Sequence, residues 1–442
     1  MDRICLTLPT NRECTATLTA LGEEAAYAAA HFGVEVDLLI LDSADAPDRA
    51  RHARAAHAAA GEHITVHHLD EAAQRAFLRR VIDRAELPKP ELMLDLMLPD
   101  RLSYGACTNR AFLLAAALGC RSVHRRDSDS RYQLHHGEPV YPIHHELLAL
   151  GRPARDVAAA VTENSLDDHH AGKAVVMAGA SFVGELSVDI GEIRATDPEI
   201  YRDIVGLWAP ENWSADEKRE LADVSFLGAG TDPFTGDRST LALVDPMHVD
   251  MCNIGFHRIQ EDVPLPPATD TIGSDYFLFH LARSATLPGV LHNRHIVNYY
   301  TGERRTDAGF LAYQLRFVKF LLSMQYLHHV YDRMAHAGPA LLDADDRVRT
   351  EDIALFTRES AHLDPAENLR RLTVLDRSYR RLGGRYADFA DHLATHRARL
   401  LDEARRDMED FALLTEAWPG LVAASAATGP PPGGSHPDRG RR

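Results

Sequence analysis

Asp127-Ser128-Asp129 carries the most chemistry in the fewest residues of this 442-residue sequence. Two carboxylates at i and i+2 on a turn can converge on one hard divalent cation, which prefers oxygen ligands and can also bridge a diphosphate. A solvated turn or a helix cap is the ordinary alternative for an isolated Asp-x-Asp triplet. A calcium loop is excluded: with Asp127 at position 1 and Glu138 at position 12, Arg131 stands at position 5 and Tyr132 at the obligatory glycine. Arg294, Arg304 and Arg305 offer guanidinium forks that suit a diphosphate or a charged acceptor, or are exposed charges near a domain junction. Trp208 and Trp213 suit stacking on a sugar or a lid over a site, and equally core packing. His144-His145-Glu146 and Asp167-Asp168-His169-His170 have the composition of metal sites but lack a His pair at i, i+4, so they read as polar loop.

These residues need a scaffold, and the apolar pattern predicts one. Ile4 to Leu8 reads as a strand, Thr15 to His31 as a helix, and Val36 to Leu41 as a strand buried on both faces, so the chain opens β-α-β. A helix from about Asp48 to Ala60, a strand at His63 to His68 and a helix from Asp70 to Ala85 continue the alternation. Thr108 to Leu118 is a compact apolar helix stopped by Gly119, and Arg121 to His124 is a brief strand. Asp127 and Asp129 then sit at a strand's carboxyl end, where open α/β sheets bind ligands. Lys173 to Ile190 and Ser239 to Val249 read as further strands, separated by the polar segment that holds Trp208 and Trp213. Ala308 to Ala335 and about Pro365 to Trp418 show long helical spacing. The expected organisation is an α/β domain over 1–305, divided near 132/133, a helical region over 306–424 and a disordered tail over 425–442, of which Gly429 to Arg442 lacks apolar residues.

Read in order, LTLPTNR, VDLLILDSAD, SYGACTNRAFLLAAALG and SVHRRDSDSRYQ resemble the nucleotide-binding half of GT-A glycosyltransferases over roughly residues 3 to 132. The resemblance implies an α/β, Rossmann-type mixed sheet flanked by helices and a nucleotide-diphosphate sugar donor, most often UDP-linked. It assigns base and ribose contacts to Pro9, Thr10, Asn11, Arg12 and Asp42, and donor contacts to Asn109, Arg110 and Ser128. Asp127 and Asp129 would hold Mn²⁺ or Mg²⁺ on the diphosphate. Val249 to Ile259 with Gly273-Ser274-Asp275-Tyr276-Phe277 resembles the acceptor-side strand and acid-bearing helix start of the same fold, which makes Asp275 the candidate base. A plain first-turn acid before FLFHLA stays open for Asp275, and the usual Glu-Asp pair is missing. Val290 to Tyr300 is similar to the late strand that supplies a histidine as third metal ligand, which nominates His292, and after it His295. A neutral imidazole beside two carboxylates suits Mn²⁺. Arg294 from the same stretch would face the diphosphate.

Composition sets the outer limits. Hydrophobic residues make up 45% and charged residues 26%, as in a globular protein, and Lys+Arg 48 against Asp+Glu 65 leaves a net charge of −17. Such a surface repels phosphate backbones and anionic lipids, so neither nucleic acid nor membrane is an expected partner. Lys occurs only at Lys89, Lys173, Lys218 and Lys319, which reads as codon bias. Five cysteines without a CxxC pair disfavour a disulfide framework or a cysteine zinc site. With no apolar run of about 18 residues and no signal-like start, the expected location is the cytoplasm. GxxxxGK[ST], a GxGxxG after the first strand and GxSxG are all missing, so P-loop, dinucleotide and α/β-hydrolase chemistry lack support. By elimination the acceptor is a soluble small molecule, for example a natural-product intermediate, free or on a carrier protein. The helical region is open to two roles, forming a homodimer or closing over the acceptor, and nothing in the sequence decides between them. The rival functions are a nucleotidyltransferase, a metal-dependent phosphohydrolase and a non-catalytic nucleotide-binding module.

Overall fold

Strand β1 (Arg3–Thr10) sends Ile4, Leu6 and Leu8 into one core and Cys5 into another, because successive residues of a strand face opposite sides. Strand β2 (Glu35–Asp42) repeats this, with Val36, Leu38 and Ile40 on the first face and Leu39 and Leu41 on the second. Their unbroken apolar runs thus reflect a sheet covered on both sides. The computed structural model describes residues 1–186, 190–299 and 306–431.

The remaining strands are β3 (Ile64–Asp70), β4 (Ser122–Arg126), β5 (Ser130–Tyr132), the pair β6 (Leu134–His135) and β7 (Glu138–Pro139), β8 (Glu163–Asn164), β9 (Met177–Gly179) and β10 (Phe182–Gly184), followed by β11 (Ser239–Ala242), β12 (Asn253–Phe256), β13 (Gly289–His292) and β14 (Ile296–Asn298). The main sheet has the order β3-β2-β1-β4-β12-β9-β13-β11-β8. The first four strands are parallel, and β12 is antiparallel to β4 and β9. Strand β13 runs parallel to β9 and antiparallel to β11. Strands β10, β14 and β5 make a separate small sheet. Thr10 is level with Asp42, and Thr7 with Arg125, so the loops that leave β1 and β4 emerge at the same end of the sheet.

Helices Thr15–Phe32 and Ala46–Ala59 cover one face. Helices Glu71–Arg84, Pro90–Met97 and Tyr104–Leu118 cover the other, joined by the C-terminal helices Asp307–Ala337, Thr350–Ser360, Ala366–Leu382 and Gly384–Thr428. One apolar core runs from Leu39 through Phe112 to Trp418. The α/β class, the mixed sheet and the helical C-terminal region agree with the sequence.

Several boundaries differ. The Lys173–Ile190 region holds two three-residue strands, β9 and β10, with 187–189 outside the described residues. Only Ser239–Ala242 of Ser239–Val249 is a strand. The polar segment around Trp208 is largely helical, with Pro198–Val205 capped by Asp197 and Ala215–Val224 closed by a Ser214/Glu217 capping box. The last helix continues through 425–428, where the sequence suggests tail: Ser425 is buried and its hydroxyl donates to the Leu113 carbonyl. Residues 432–442 lie outside the described residues.

Candidate functional site

Two adjacent arginines end β4, and the strand's two-residue period sends them to opposite faces. Arg126 is buried among carboxylates, with Nη2 2.8 Å from Glu24 Oε1 and Nη1 3.1 Å from Glu146 Oε1. His124 Nδ1 lies 2.6 Å from the other oxygen of Glu146, and the Tyr132 hydroxyl donates to Glu24. This network fixes the direction in which the chain leaves the sheet. Arg125 points the other way and spans two acids, with Nη2 3.0 Å from Asp127 Oδ1 and Nη1 3.1 Å from Asp275 Oδ2. Its Nη1 also donates to the Met251 carbonyl, while its buried Nε has no hydrogen-bond partner among the described residues.

Arg125, Asp127, Ser128, Asp129 and Asp275 line one cavity of about 470 Å³ at the carboxyl ends of β1, β2 and β4. Pro9, Thr10, Asn11 and Arg12 form its wall beside β1, and Arg110 reaches it from the helix Tyr104–Leu118. Arg12 Nη1 is 3.2 Å from Asp129 Oδ2, which ties the first loop to the Asp-x-Asp turn. Thr10 Oγ1 donates to the Arg12 carbonyl at 2.9 Å and so shapes that loop. Asp250 also faces the cavity and accepts a hydrogen bond from the Tyr276 hydroxyl.

The charge balance is uneven. Burial raises the Asp127 carboxyl to about 7; Arg125 opposes this, while Asp129, Asp250 and Asp275 add to it. Burial also raises Asp275, again against Arg125 and with Asp250 adding to the rise. A region where ionised carboxylates are costly gains from an added cation. Among the described residues, no group of three or more His, Cys, Asp or Glu side chains is arranged to hold a metal by itself. Mg²⁺ needs less, since it is commonly held by one or two carboxylates plus substrate phosphates and waters. The donor set of Asp127 and Asp129 fits that kind of binding.

Other expected site residues are placed elsewhere. Asp42 is fully buried and does not line the cavity. Its Oδ2 lies 2.9 Å from His52 Nδ1 and 2.7 Å from His68 Nε2, and its Oδ1 accepts the Ala44 N–H. Burial raises its pKa, but His68, the Ala44 amide and His52 outweigh that and lower it. The structure thus places Asp42 behind the Ser43–Ala44 turn, which it supports and whose Ser43 does line the cavity. Asn109 is also buried: it donates to the Leu265 carbonyl and accepts the Leu265 N–H, both at 2.8 Å, and so docks its helix on the 263–268 segment. That docking is close at Gly105, where a Cβ would lie 1.9 Å from the Pro266 oxygen. Arg110 reaches the cavity but spends Nε on Gln74 and Nη1 on the Met97 carbonyl.

The histidine assignment is corrected too. His292 and His295 line a second cavity of about 340 Å³ and do not join Asp127 and Asp129. For His292 the reason is sheet order: β13 stands three strands beyond β4, roughly 14 Å at about 4.8 Å per strand. His292 stacks on His145 at 5.3 Å, and neither of its buried ring nitrogens has a hydrogen-bond partner among the described residues. His295 Nδ1 accepts the Ser181 N–H at 3.2 Å. Arg294 is no diphosphate clamp, because Asp237 holds its Nε at 2.6 Å and Nη2 at 2.9 Å while Nη1 donates to the Tyr141 carbonyl. Arg304 and Arg305 lie outside the described residues. Trp208 lines the main cavity, stacked on Phe226 at 5.1 Å, whereas Trp213 is exposed at the surface.

Residues 2–432 match a family described as Family of unknown function (DUF6271). The chain belongs to this family. No curated protein matches it. No described helix of this DUF6271 chain is long and apolar enough to cross a membrane. Sequence reasoning missed Arg125 and Asp250, and left open whether the C-terminal helices reach the site, where helix Asp307–Ala337 lines the cavity. A signal for Arg125 existed in the Arg125-Arg126 pair, since a strand must send one of two neighbours toward the Asp-x-Asp side.

Proposed function

We propose that the protein is a metal-dependent glycosyltransferase of the GT-A type, which moves a sugar from a nucleotide-diphosphate donor, UDP-linked in the first instance, to a soluble acceptor. The observation that carries this reading is the convergence of Pro9–Arg12, Asp127-Ser128-Asp129 and Asp275 on one cavity at the carboxyl ends of parallel strands. That edge is where open α/β sheets bind nucleotides. The parallel β3-β2-β1-β4 block with antiparallel β12 next to it supports a GT-A-like fold.

In this reading the Pro9–Arg12 loop lies along the nucleotide, and Arg12 faces the diphosphate while bracing Asp129. Asp127 and Asp129 would hold the divalent ion, whose chemistry when bound is to offset charge that develops on the diphosphate. Asp275 takes the proton of the acceptor hydroxyl; the freed oxygen bonds to the anomeric carbon, and that carbon's bond to the diphosphate oxygen breaks with its electron pair. Burial makes Asp275 a stronger base than an exposed carboxylate, and Arg125 holds it in place. Arg125 also bridges to Asp127, so it ties the proton-accepting group to the metal-binding turn.

The test is a panel of nucleotide sugars with Mn²⁺ or Mg²⁺, scored for nucleoside diphosphate and for inorganic phosphate. Metal-dependent nucleoside diphosphate release that falls at least 100-fold in Asp127→Asn is expected. Inorganic phosphate as the direct product would overturn the reading in favour of a phosphohydrolase.

A further inference from the structure

The main cavity has two unlike halves. Its charged groups come from the strand ends and the following loops, from Glu71, Asp100, Arg101 and Arg110, and from the Asp250 and Asp275 turns. Helix Asp307–Ala337 contributes Tyr313, Phe320, Met324, Leu327 and Tyr331, none of them charged. Trp208 continues this wall, with its ring centroid 5.1 Å from Phe226 and 5.7 Å from Phe320. The wall reaches the proposed base directly. Gly273, two residues before Asp275, has φ +70°, and a Cβ there would lie 2.7 Å from the Phe320 ring. Only glycine permits both that backbone and that approach.

Two polar groups stand within the apolar half. His280 and Tyr331 stack with centroids 3.8 Å apart and planes 10° apart, and both line the cavity. Both residues are half-buried on the cavity wall, so their polar tips can meet a ligand that supplies a hydrogen-bond partner. At the mouth, Val224 and Met247 are exposed, at 58% and 39%, although both are apolar. An apolar rim around an aromatic chamber favours an apolar entrant.

We propose that the acceptor is a neutral, hydroxylated aromatic molecule. Its ring slots against Phe320 and Trp208, one hydroxyl reaches Asp275, and a second polar substituent meets the His280–Tyr331 pair. This rests on the glycosyltransferase reading for its chemistry, but the binding it requires does not. A charge carried on the ring that packs against the helix is disfavoured, because that wall of the cavity offers it no counter-ion and would strip its water.

The experiment is calorimetric titration of 2-naphthol and of anionic 2-naphthoate at pH 7 into the full chain, with UDP titrated separately. The expected result is at least tenfold tighter binding of 2-naphthol than of 2-naphthoate. Leu327→Arg should weaken 2-naphthol at least tenfold and leave UDP binding intact. Should that variant fail to fold, Tyr331→Phe provides the second arm, and it should weaken 2,6-dihydroxynaphthalene, whose second hydroxyl meets the His280–Tyr331 pair, while leaving 2-naphthol unchanged. Equal affinity for naphthol and naphthoate, or no binding of either while UDP binds, overturns the acceptor inference and leaves the donor reading standing. Naphthol binding with no nucleotide binding overturns the donor reading instead and supports the aromatic chamber.

Discussion

Asp127→Asn should make the metal-free protein more stable at alkaline pH, although it removes a group proposed to be essential. The carboxyl is raised from 3.8 to about 7, so ionising it inside the fold costs ~4 kcal/mol at about 1.4 kcal/mol per pH unit. With 29% of the side chain exposed, water screens part of that cost and leaves about 1–3 kcal/mol. The sign follows from proton counting. The folded state holds this proton more tightly than the unfolded chain, so between pH 4 and 7 stability falls as pH rises through the folded midpoint. Asparagine mimics the protonated carboxyl, so its advantage is present above pH 7 and vanishes near pH 4. Arg125 keeps Asp275 as partner in the variant. The assay is thermal unfolding in EDTA at pH 8 and pH 5, where a gain of roughly 1–5 °C at pH 8 and a smaller one at pH 5 are expected. Mn²⁺ should then raise the wild-type midpoint and not that of the variant. A variant less stable than wild type at pH 8 in EDTA, or equal stabilisation of both by Mn²⁺, would refute the argument.

Arg125→Met leaves Asp127 and Asp275 without their shared counter-ion; turnover should fall more than 100-fold with a stability loss of about 2–4 kcal/mol, read by donor consumption and urea unfolding. Arg126→Ala strands buried Glu24 and Glu146 and should cost about 3–5 kcal/mol, seen as a large drop in the urea midpoint. His292→Phe should leave metal and UDP affinity within twofold of wild type by calorimetry, since β13 sits away from the Asp-x-Asp turn; a tenfold loss would restore the histidine to the site.

The local half of this architecture could be read before any coordinates. Val36–Leu41 announces a doubly covered strand by its unbroken apolar run, and Asp127–Asp129 follows a strand closely enough to mark a ligand edge. Pairings made across the fold left no such trace. Nothing in the sequence says that His52 and His68 both reach Asp42, because they come from a helix and a strand brought together only by the βαβ crossover. His292 was misplaced because strand order, not strand existence, decides which ends are neighbours. The final helix continues past Pro419, where a proline argues for a stop. Trp418, fully buried and donating to the Gln260 carbonyl at 3.0 Å, supplies tertiary anchoring beside the proline. The aromatic wall of helix Asp307–Ala337 has ordinary core spacing, so its sequence gave no sign that one part faces a cavity.

The central claim is a metal-dependent nucleotide site at Asp127 and Asp129. Calorimetric titration of UDP into the full chain, with and without Mn²⁺, for wild type and the Asp127→Ala/Asp129→Ala variant, tests it most directly. The account predicts binding that requires Mn²⁺ and is lost in the double variant. No binding of UDP, GDP, ADP or dTDP under any condition, or binding indifferent to both the ion and the two carboxylates, would contradict it.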